Sequence, residues 1–107
     1  MFPRAQRVRS TKDIVQIFRK GQKASRGVVS CSFLKKPGTL SRVTVIVDTK
    51  VSKKAVVRNL VKRRARSILA DQSLPVGDVI IRLYKGADLV SFILLTEQIK
   101  QCLSRVG

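Results

Sequence analysis

The chain has 107 residues, a length that fits one domain, and 44% of them are hydrophobic, which excludes a chain that is disordered throughout. It carries 23 Lys and Arg against 6 Asp and Glu, so its formal net charge is +17. Such a charge strains a compact fold through self-repulsion unless a polyanion neutralises it, which favours a nucleic acid as the partner over a merely soluble surface.

Residue types that are absent or isolated exclude several other classes. There is no His, and the two cysteines, Cys31 and Cys102, are far apart in the sequence, so a zinc site in the protein is not expected. Both cysteines fall in apolar patterns and are predicted to be small buried residues of the core. No signal peptide opens the chain and no stretch approaches the length of a membrane span. We therefore expect a cytoplasmic protein with no membrane partner.

The first third of the chain predicts a basic arm, a helix and a strand. Residues 1–9 are basic and irregular, and they form either a frayed terminus or a functional arm. Residues 11–20 predict a helix, because a hydroxyl cap precedes apolar side chains at i, i+3 and i+4, and Gly21 supplies a stop. Residues 28–35 alternate between apolar and polar side chains, which predicts a strand with one buried face.

The rest of the chain predicts two more strands and two more helices. Residues 42–49 alternate in the same way, and residues 78–84 are nearly all apolar, which is typical of a central strand. Residues 53–70 and 91–105 carry apolar stripes at helical spacing. This order predicts an α+β fold in which the helices pack on one face of a small mixed sheet and the other face is open to a ligand.

The helix predicted at residues 53–70 has the strongest functional signal. Residues 49–70 contain eight Lys or Arg and no acid. Like charges at i, i+4 destabilise a helix by about 0.2–0.5 kcal/mol per pair, and a solvated face normally mixes Glu with Lys. The pattern therefore predicts a face that binds phosphate groups, without separating RNA from DNA.

A helical wheel separates two sets of side chains on this helix. The apolar stripe comprises Val57, Leu60, Val61, Ala65, Ile68 and Leu69. The polar set is expected to lie opposite Val57, Val61 and Ile68. Its centre is an i, i+4, i+8 line of Arg58, Lys62 and Arg66. Asn59 and Arg63 flank this line, and Lys53 and Lys54 lie at its N-terminal end.

The segment 55–66, AVVRNLVKRRAR, resembles the signature of the bacterial ribonuclease P protein subunit, which runs approximately A-V-x-R-N-R-x-K-R-x-x-R. The opening helix, the Val51-Ser52-Lys53-Lys54 stretch and the turn at residues 85–89 are similar in order and spacing. The resemblance covers nearly the whole chain and implies a single domain over residues 1–107. Leu60 departs from the motif by replacing its second Arg, Ile14 replaces a common aromatic, and a Gly usual before Ala55 is missing.

The resemblance implies a fold and a function. The fold is a compact α/β sandwich with a left-handed βαβ crossover, like the second domain of a ribosomal small-subunit protein. The function is to partner ribonuclease P RNA, which holds Mg²⁺ and carries the catalysis, in hydrolysing precursor tRNA to make the mature 5′ end. No further protein partner is required. The residues agree that the protein is not the catalyst, since it has no His and its six acids are scattered.

The resemblance also implies a groove for the single-stranded 5′ leader, formed by the first helix and the exposed sheet face. Ile14, Phe18 and Phe33 are the candidates for this groove, because aromatic side chains stack on unpaired bases of any sequence. The alternative for both Phe18 and Phe33 is burial in the core. For Phe33, the alternation with Val29 and Cys31 favours that alternative.

Three other functions remain as alternatives. A ribosomal or RNA-chaperone-like binding module would share the charge and the basic helix, and the RNA that co-purifies with the chain would identify it. A DNA-binding regulator would use residues 53–70 as a recognition helix, but no preceding helix and short turn support it. A nuclease that acts without RNA would need gathered carboxylates, which the sequence does not suggest.

Overall fold

The computed structural model describes residues 11–35, 41–72, 74 and 76–106, with side chains from residue 14 onwards. The basic arm predicted at residues 1–9 lies outside the described residues. The described elements are helix α1 (Thr11–Lys20), strands β1 (Gln22–Arg26), β2 (Val29–Lys35) and β3 (Ser41–Val47), helix α2 (Ala55–Ala70), strand β4 (Gly77–Leu83) and helix α3 (Phe92–Ser104).

The four strands form one mixed sheet in the order β1-β2-β4-β3. Strands β1 and β2 form an antiparallel hairpin whose turn includes Gly27 at a φ of 59°, a conformation that favours glycine. Strand β4 pairs antiparallel with β2 and parallel with β3, so α2 is the crossover of a βαβ unit. The mixed sheet and the central position of β4 confirm the predictions from the sequence.

Helices α2 and α3 cover one face of the sheet and form the main core with it. Residues of all three layers are buried there, among them Val29 and Ile81 from the sheet, Val61 from α2 and Ile99 from α3. Each such side chain contributes about 1.5–3 kcal/mol relative to full exposure. Cys31 and Cys102 belong to the same cluster as free thiols, which confirms that they are buried core residues.

Helix α1 packs on the opposite face of the sheet, so the prediction that all helices share one face is wrong. A second buried cluster joins Ile17 of α1 to Ile80 of β4. The cluster is completed by half-buried Ile14, Phe18, Leu34 and Ile46. The signal for this arrangement is the nearly continuous apolar run of β4, which is buried on both faces and therefore needs cover on both.

Strand β1 was not predicted from the sequence. Its five residues, QKASR, are mostly exposed, because an edge strand with little cover shows no apolar alternation. The hairpin is fixed to α3 instead, since the Val28 N–H donates to Gln98 Oε1 at 3.0 Å. This edge strand widens the sheet face beside α1 and so helps to form the groove described below.

Candidate nucleic-acid interface

Helix α2 carries most of the predicted phosphate-binding residues, and its first turn carries no acid and no side-chain cap. We call the predicted set the basic ridge: Lys53, Lys54, Arg58, Asn59, Lys62, Arg63 and Arg66. Lys53, Lys54, Asn59 and Arg63 are exposed, whereas the other three are half-buried. The structure thus brings the seven residues onto one helix and the turn before it.

The helical wheel predicted that the ridge lies opposite the apolar stripe. In the structure, part of the ridge lies beside that stripe instead. The face of α2 that packs on the core comprises Val61, Ala65, Ile68 and Leu69. The line of Arg58, Lys62 and Arg66 runs along the margin of that face and is half-buried. Arg58, Asn59 and Lys62 border a shallow depression with residues 44–47 of β3. The predicted apolar stripe also needs correction at Leu60, which is 47% exposed.

The turn that leads into α2 is ordered by its own hydrogen bonds. The Lys50 N–H donates to Asp48 Oδ1 at 3.0 Å, and the Lys54 N–H donates to Ser52 Oγ at 3.1 Å. Arg58 Nη1 donates to the Ser52 carbonyl oxygen at 2.8 Å. These contacts fix the start of the ridge before any ligand binds, which lowers the entropy lost on binding.

Two lysines extend the positive surface beyond the ridge. A depression beside the start of α2 is lined by Lys50, Lys53, Arg58 and Lys85, together with the hydroxyl side chains of Thr49 and Ser52. Sequence reasoning did not assign Lys50 and Lys85, because they lie on separate turns and follow no helical period. Strands β3 and β4 run parallel and end beside each other, and this places the two turns together.

A groove of about 550 Å³ lies on the sheet face that α1 partly covers. Phe18 lines it, as predicted, and Ile14 packs with Phe18 in the second cluster. Phe33 is 2% exposed and belongs to the main core on the other face, so the structure does not bring it to the groove. The groove lining includes Phe18, Lys23, Ser25, Ser30, Ser32, Arg82, Tyr84 and Arg105.

One end of the groove holds a network that sequence reasoning missed. The Arg82 guanidinium lies over the Tyr84 ring, 5.2 Å from its centroid. Arg82 Nη2 also donates to Asp48 Oδ2 at 3.2 Å, and the Tyr84 hydroxyl is 2.9 Å from Ser30 Oγ. The available signal was Arg82 itself, a charged residue in an otherwise apolar stretch of β4. Because Asp48 bonds both Arg82 and Lys50, it joins the groove to the turn that begins the ridge.

Two of the carboxylates described by the structure, Asp48 and Asp78, form ion pairs with arginines. The Lys50 N–H and the Arg82 guanidinium lower the pKa of the Asp48 carboxyl. Asp78 is 1% exposed and accepts hydrogen bonds from Arg42 Nε and Nη2 at 2.7 and 2.8 Å. Among the described residues, no three His, Cys, Asp or Glu side chains gather where they could hold a metal ion, and no helix is long and apolar enough to cross a membrane.

Comparisons with known proteins agree with one another. A family model described as Ribonuclease P matches residues 2–107. The ribonuclease P protein component of Clavibacter michiganensis is 32% identical over 109 residues, which cover 98% of this chain and 96% of that protein. The one from Thermus brockianus is 40% identical over 93 residues, which cover 86% of this chain and 55% of that protein. The chain thus spans about half the length of the Thermus relative and nearly all of the Clavibacter one.

Solved structures give the same result for the fold. The RNase P protein from Thermotoga maritima superposes with a TM-score of 0.83 at 27% identity, over 94% of this chain and 97% of that one. The RNase P protein of Staphylococcus aureus superposes with a TM-score of 0.84 at 19% identity, over 95% of each chain, a likeness that concerns the fold. Taken with the family model, these matches show that the chain belongs to the family of ribonuclease P protein components.

Proposed function

We propose that this chain binds ribonuclease P RNA through the basic ridge and the 5′ leader of precursor tRNA through the groove. In this role it assists the RNA in removing the leader to give the mature tRNA 5′ end. The observation that carries the proposal is the basic ridge, seven polar residues on one helix and its preceding turn, five of them in the family motif, in a chain that belongs to this family.

The ridge suits a phosphate backbone for electrostatic reasons. A rigid helix holds guanidinium and ammonium groups in a row, and Arg58 is already oriented by the Ser52 carbonyl oxygen. Cations on phosphates release counterions, which supplies affinity without requiring a sequence. The Asn59 amide is exposed among them and offers both a donor and an acceptor to a base edge or a 2′-hydroxyl.

The groove suits a single strand better than a duplex. Its walls carry an aromatic ring on α1 and serine hydroxyls on β2, with Lys23 and Arg105 also in its lining. Aromatic side chains stack on unpaired bases, hydroxyl groups bond base edges, and cations follow the backbone. This combination serves leaders of many sequences, as a subunit that acts on many precursor tRNAs requires.

The chemical step is assigned to the RNA partner. The described carboxylates do not form a Mg²⁺ site, and Asp48 and Asp78 are bonded to arginines. We therefore place the catalytic Mg²⁺ on the RNA and derive no step of hydrolysis from this chain's residues. The protein reduces phosphate repulsion between the two RNAs and positions the leader, and we place this work in the cytoplasm.

Sequencing the RNA that co-purifies with the tagged chain tests this proposal. We expect one structured RNA, the ribonuclease P RNA, to dominate the sample and to be lost from an Arg58→Ala and Lys62→Ala double variant. Recovery of ribosomal RNA in its place would contradict the proposal and favour a ribosomal or RNA-chaperone-like binding module.

A further inference from the structure

The end of the groove at Tyr84 differs from the end near Phe18. Phe18 packs in the cluster that contains Ile80. Tyr84 comes four residues after Ile80, just beyond the end of β4, which corresponds to roughly 13 Å along an extended chain, since a strand rises about 3.3 Å per residue. This distance exceeds the spacing of bases in a stacked strand, about 3.4 Å. Phe18 and Tyr84 both line the groove, so the groove offers aromatic side chains from two different elements to an unpaired strand.

We propose that Tyr84, held by Arg82 and Ser30, is a stacking platform for a second unpaired base of the bound strand. This inference rests on the proposed leader-binding role and assigns to it Tyr84 and two supporting residues, all outside the family motif and outside the residues predicted from the sequence. The ligand is a single-stranded RNA segment that already contacts Phe18.

The platform is ordered before a ligand arrives. Tyr84 is fixed at its hydroxyl by Ser30 and at one face by Arg82. Arg82 is in turn fixed by Asp48, which also accepts the Lys50 N–H. A ring held in this way loses little rotamer freedom when a base stacks on it, so more of the contact energy becomes affinity.

The surroundings of Tyr84 favour a base over a phosphate as its ligand. Tyr84 remains 36% exposed, although a purely structural tyrosine would gain more from full burial. The positive charge of Arg82 is offset by the Asp48 carboxylate at 3.2 Å, so this end attracts a phosphate less than the Lys23 side of the groove does. Tyrosine rings and arginine planes both stack on splayed bases.

The test uses the holoenzyme reconstituted from the full chain and ribonuclease P RNA. Binding is measured for a precursor tRNA with a long leader and for the same tRNA without one, over a range of salt concentrations. We expect Tyr84→Leu to weaken binding of the long-leader substrate by roughly 5- to 150-fold, the effect of one stacked base. The leaderless substrate should bind unchanged, and the slope of log affinity against log salt should stay the same.

Three further variants make the result specific. Tyr84→Phe keeps the ring and should keep most of the affinity, and Leu89→Ala, at a position 84% exposed and outside the groove lining, should bind like the wild type. Lys23→Ala should lower the salt slope by roughly 0.7, as expected for one lost contact with a single-stranded phosphate. A reduced slope for Tyr84→Leu would indicate a phosphate contact and overturn the stacking role.

Three other outcomes would also overturn the proposal. Equal losses for both substrates would show that Tyr84 acts through the fold, and so would a Tyr84→Phe variant as weak as Tyr84→Leu. An unchanged affinity for the long leader would show that no base stacks there. Failure of the proposed function would give a different result. The wild-type chain itself would then bind the long-leader substrate and the leaderless one equally.

Discussion

The basic ridge and the groove are proposed to bind RNA by different physical means. The ridge lies on one helix and its preceding turn, and six of its seven residues are cations. The groove is assembled from five separate parts of the chain, and its best-defined end carries an arginine that Asp48 already pairs. We therefore expect binding at the ridge to depend on counterion release, which salt weakens, and binding in the groove to depend on stacking, which salt affects little. This difference predicts that ridge variants change the salt dependence of RNA affinity and that variants of the aromatic groove residues do not.

The largest effect is expected on the ridge. Arg58→Ala combined with Lys62→Ala should weaken binding to ribonuclease P RNA and reduce the log–log salt slope by roughly 1.4–1.8, since each lost phosphate contact removes about 0.7–0.9. Lys100→Ala, at an exposed position on α3, is the control and should change the slope little. Filter binding at several salt concentrations measures both. A folded double variant with the wild-type slope would refute the assignment of the ridge.

Stability should respond to the other side of the same helix. Val61→Ala should lower the free energy of unfolding by about 2–3 kcal/mol through lost burial and a small cavity. RNA binding by the folded fraction should keep its salt slope. Denaturant titration measures the stability. A changed slope with unchanged stability would mean that Val61 faces the RNA.

The ion pair at the start of β4 should also affect the fold alone. Asp78→Asn removes a buried charge that bonds Arg42 through both oxygens, and charged hydrogen bonds of this kind contribute about 1.5–3 kcal/mol. We expect a loss of stability of that size. Glu97→Gln, at an exposed position on α3, is the neutral control. If leader binding fell while thermal unfolding stayed unchanged, Asp78 would belong to the groove.

Phe18 should show the signature of the groove. Phe18→Ala should reduce affinity for a long-leader precursor by about 1–3 kcal/mol, the contribution of one stacked base, and leave the leaderless substrate unaffected. Phe18 also packs with Ile14 against Ile17 and Ile80, so part of the effect can fall on stability. Phe18→Leu keeps the apolar contact without the aromatic ring and separates the two roles. Equal losses for both substrates would assign Phe18 to the core.

The smallest effect is expected at the cysteine beneath the groove. Cys31 borders the groove, yet its side chain is fully buried, and burial together with the nearby Cys102 raises the pKa of its thiol to about 12. The thiol stays protonated at pH 8, so a thiol-specific reagent should react only as fast as the protein unfolds. Added denaturant provides the positive control. Rapid reaction in the folded state would show that the floor of the groove opens.

The grouping of the ridge residues can be predicted from the sequence and that of the groove residues cannot, and the reason is distance along the chain. The ridge residues follow a helical period within one segment, so their grouping needs no tertiary information, although the wheel misplaced Arg58 and Lys62 relative to the core. Tyr84 and Ser30 are 54 positions apart and meet only through strand pairing. The alternation of apolar residues placed Phe33 on the same face as Val29 and Cys31. Phe33 is buried on that face and does not lie in the groove that the family resemblance implied.

The fold shows the same limit. Strong apolar patterns gave α2, β4 and α3 nearly within their observed bounds. Strand β1 has no such pattern, because both of its faces are largely exposed. The position of α1 depends on which face of β4 is not covered by other elements. An apolar run on both faces indicates that both must be covered, but it does not show which helix covers each face.

Cleavage of precursor tRNA by the RNA-free chain tests the central claim most directly. The purified chain with Mg²⁺ should not cleave the substrate, and addition of ribonuclease P RNA should give cleavage at moderate salt that depends on the protein. The ridge double variant should lose this stimulation, while the wild-type chain retains it. Cleavage by rigorously RNA-free protein would contradict the account, because it would place the chemistry on a chain to which we assign only binding and positioning.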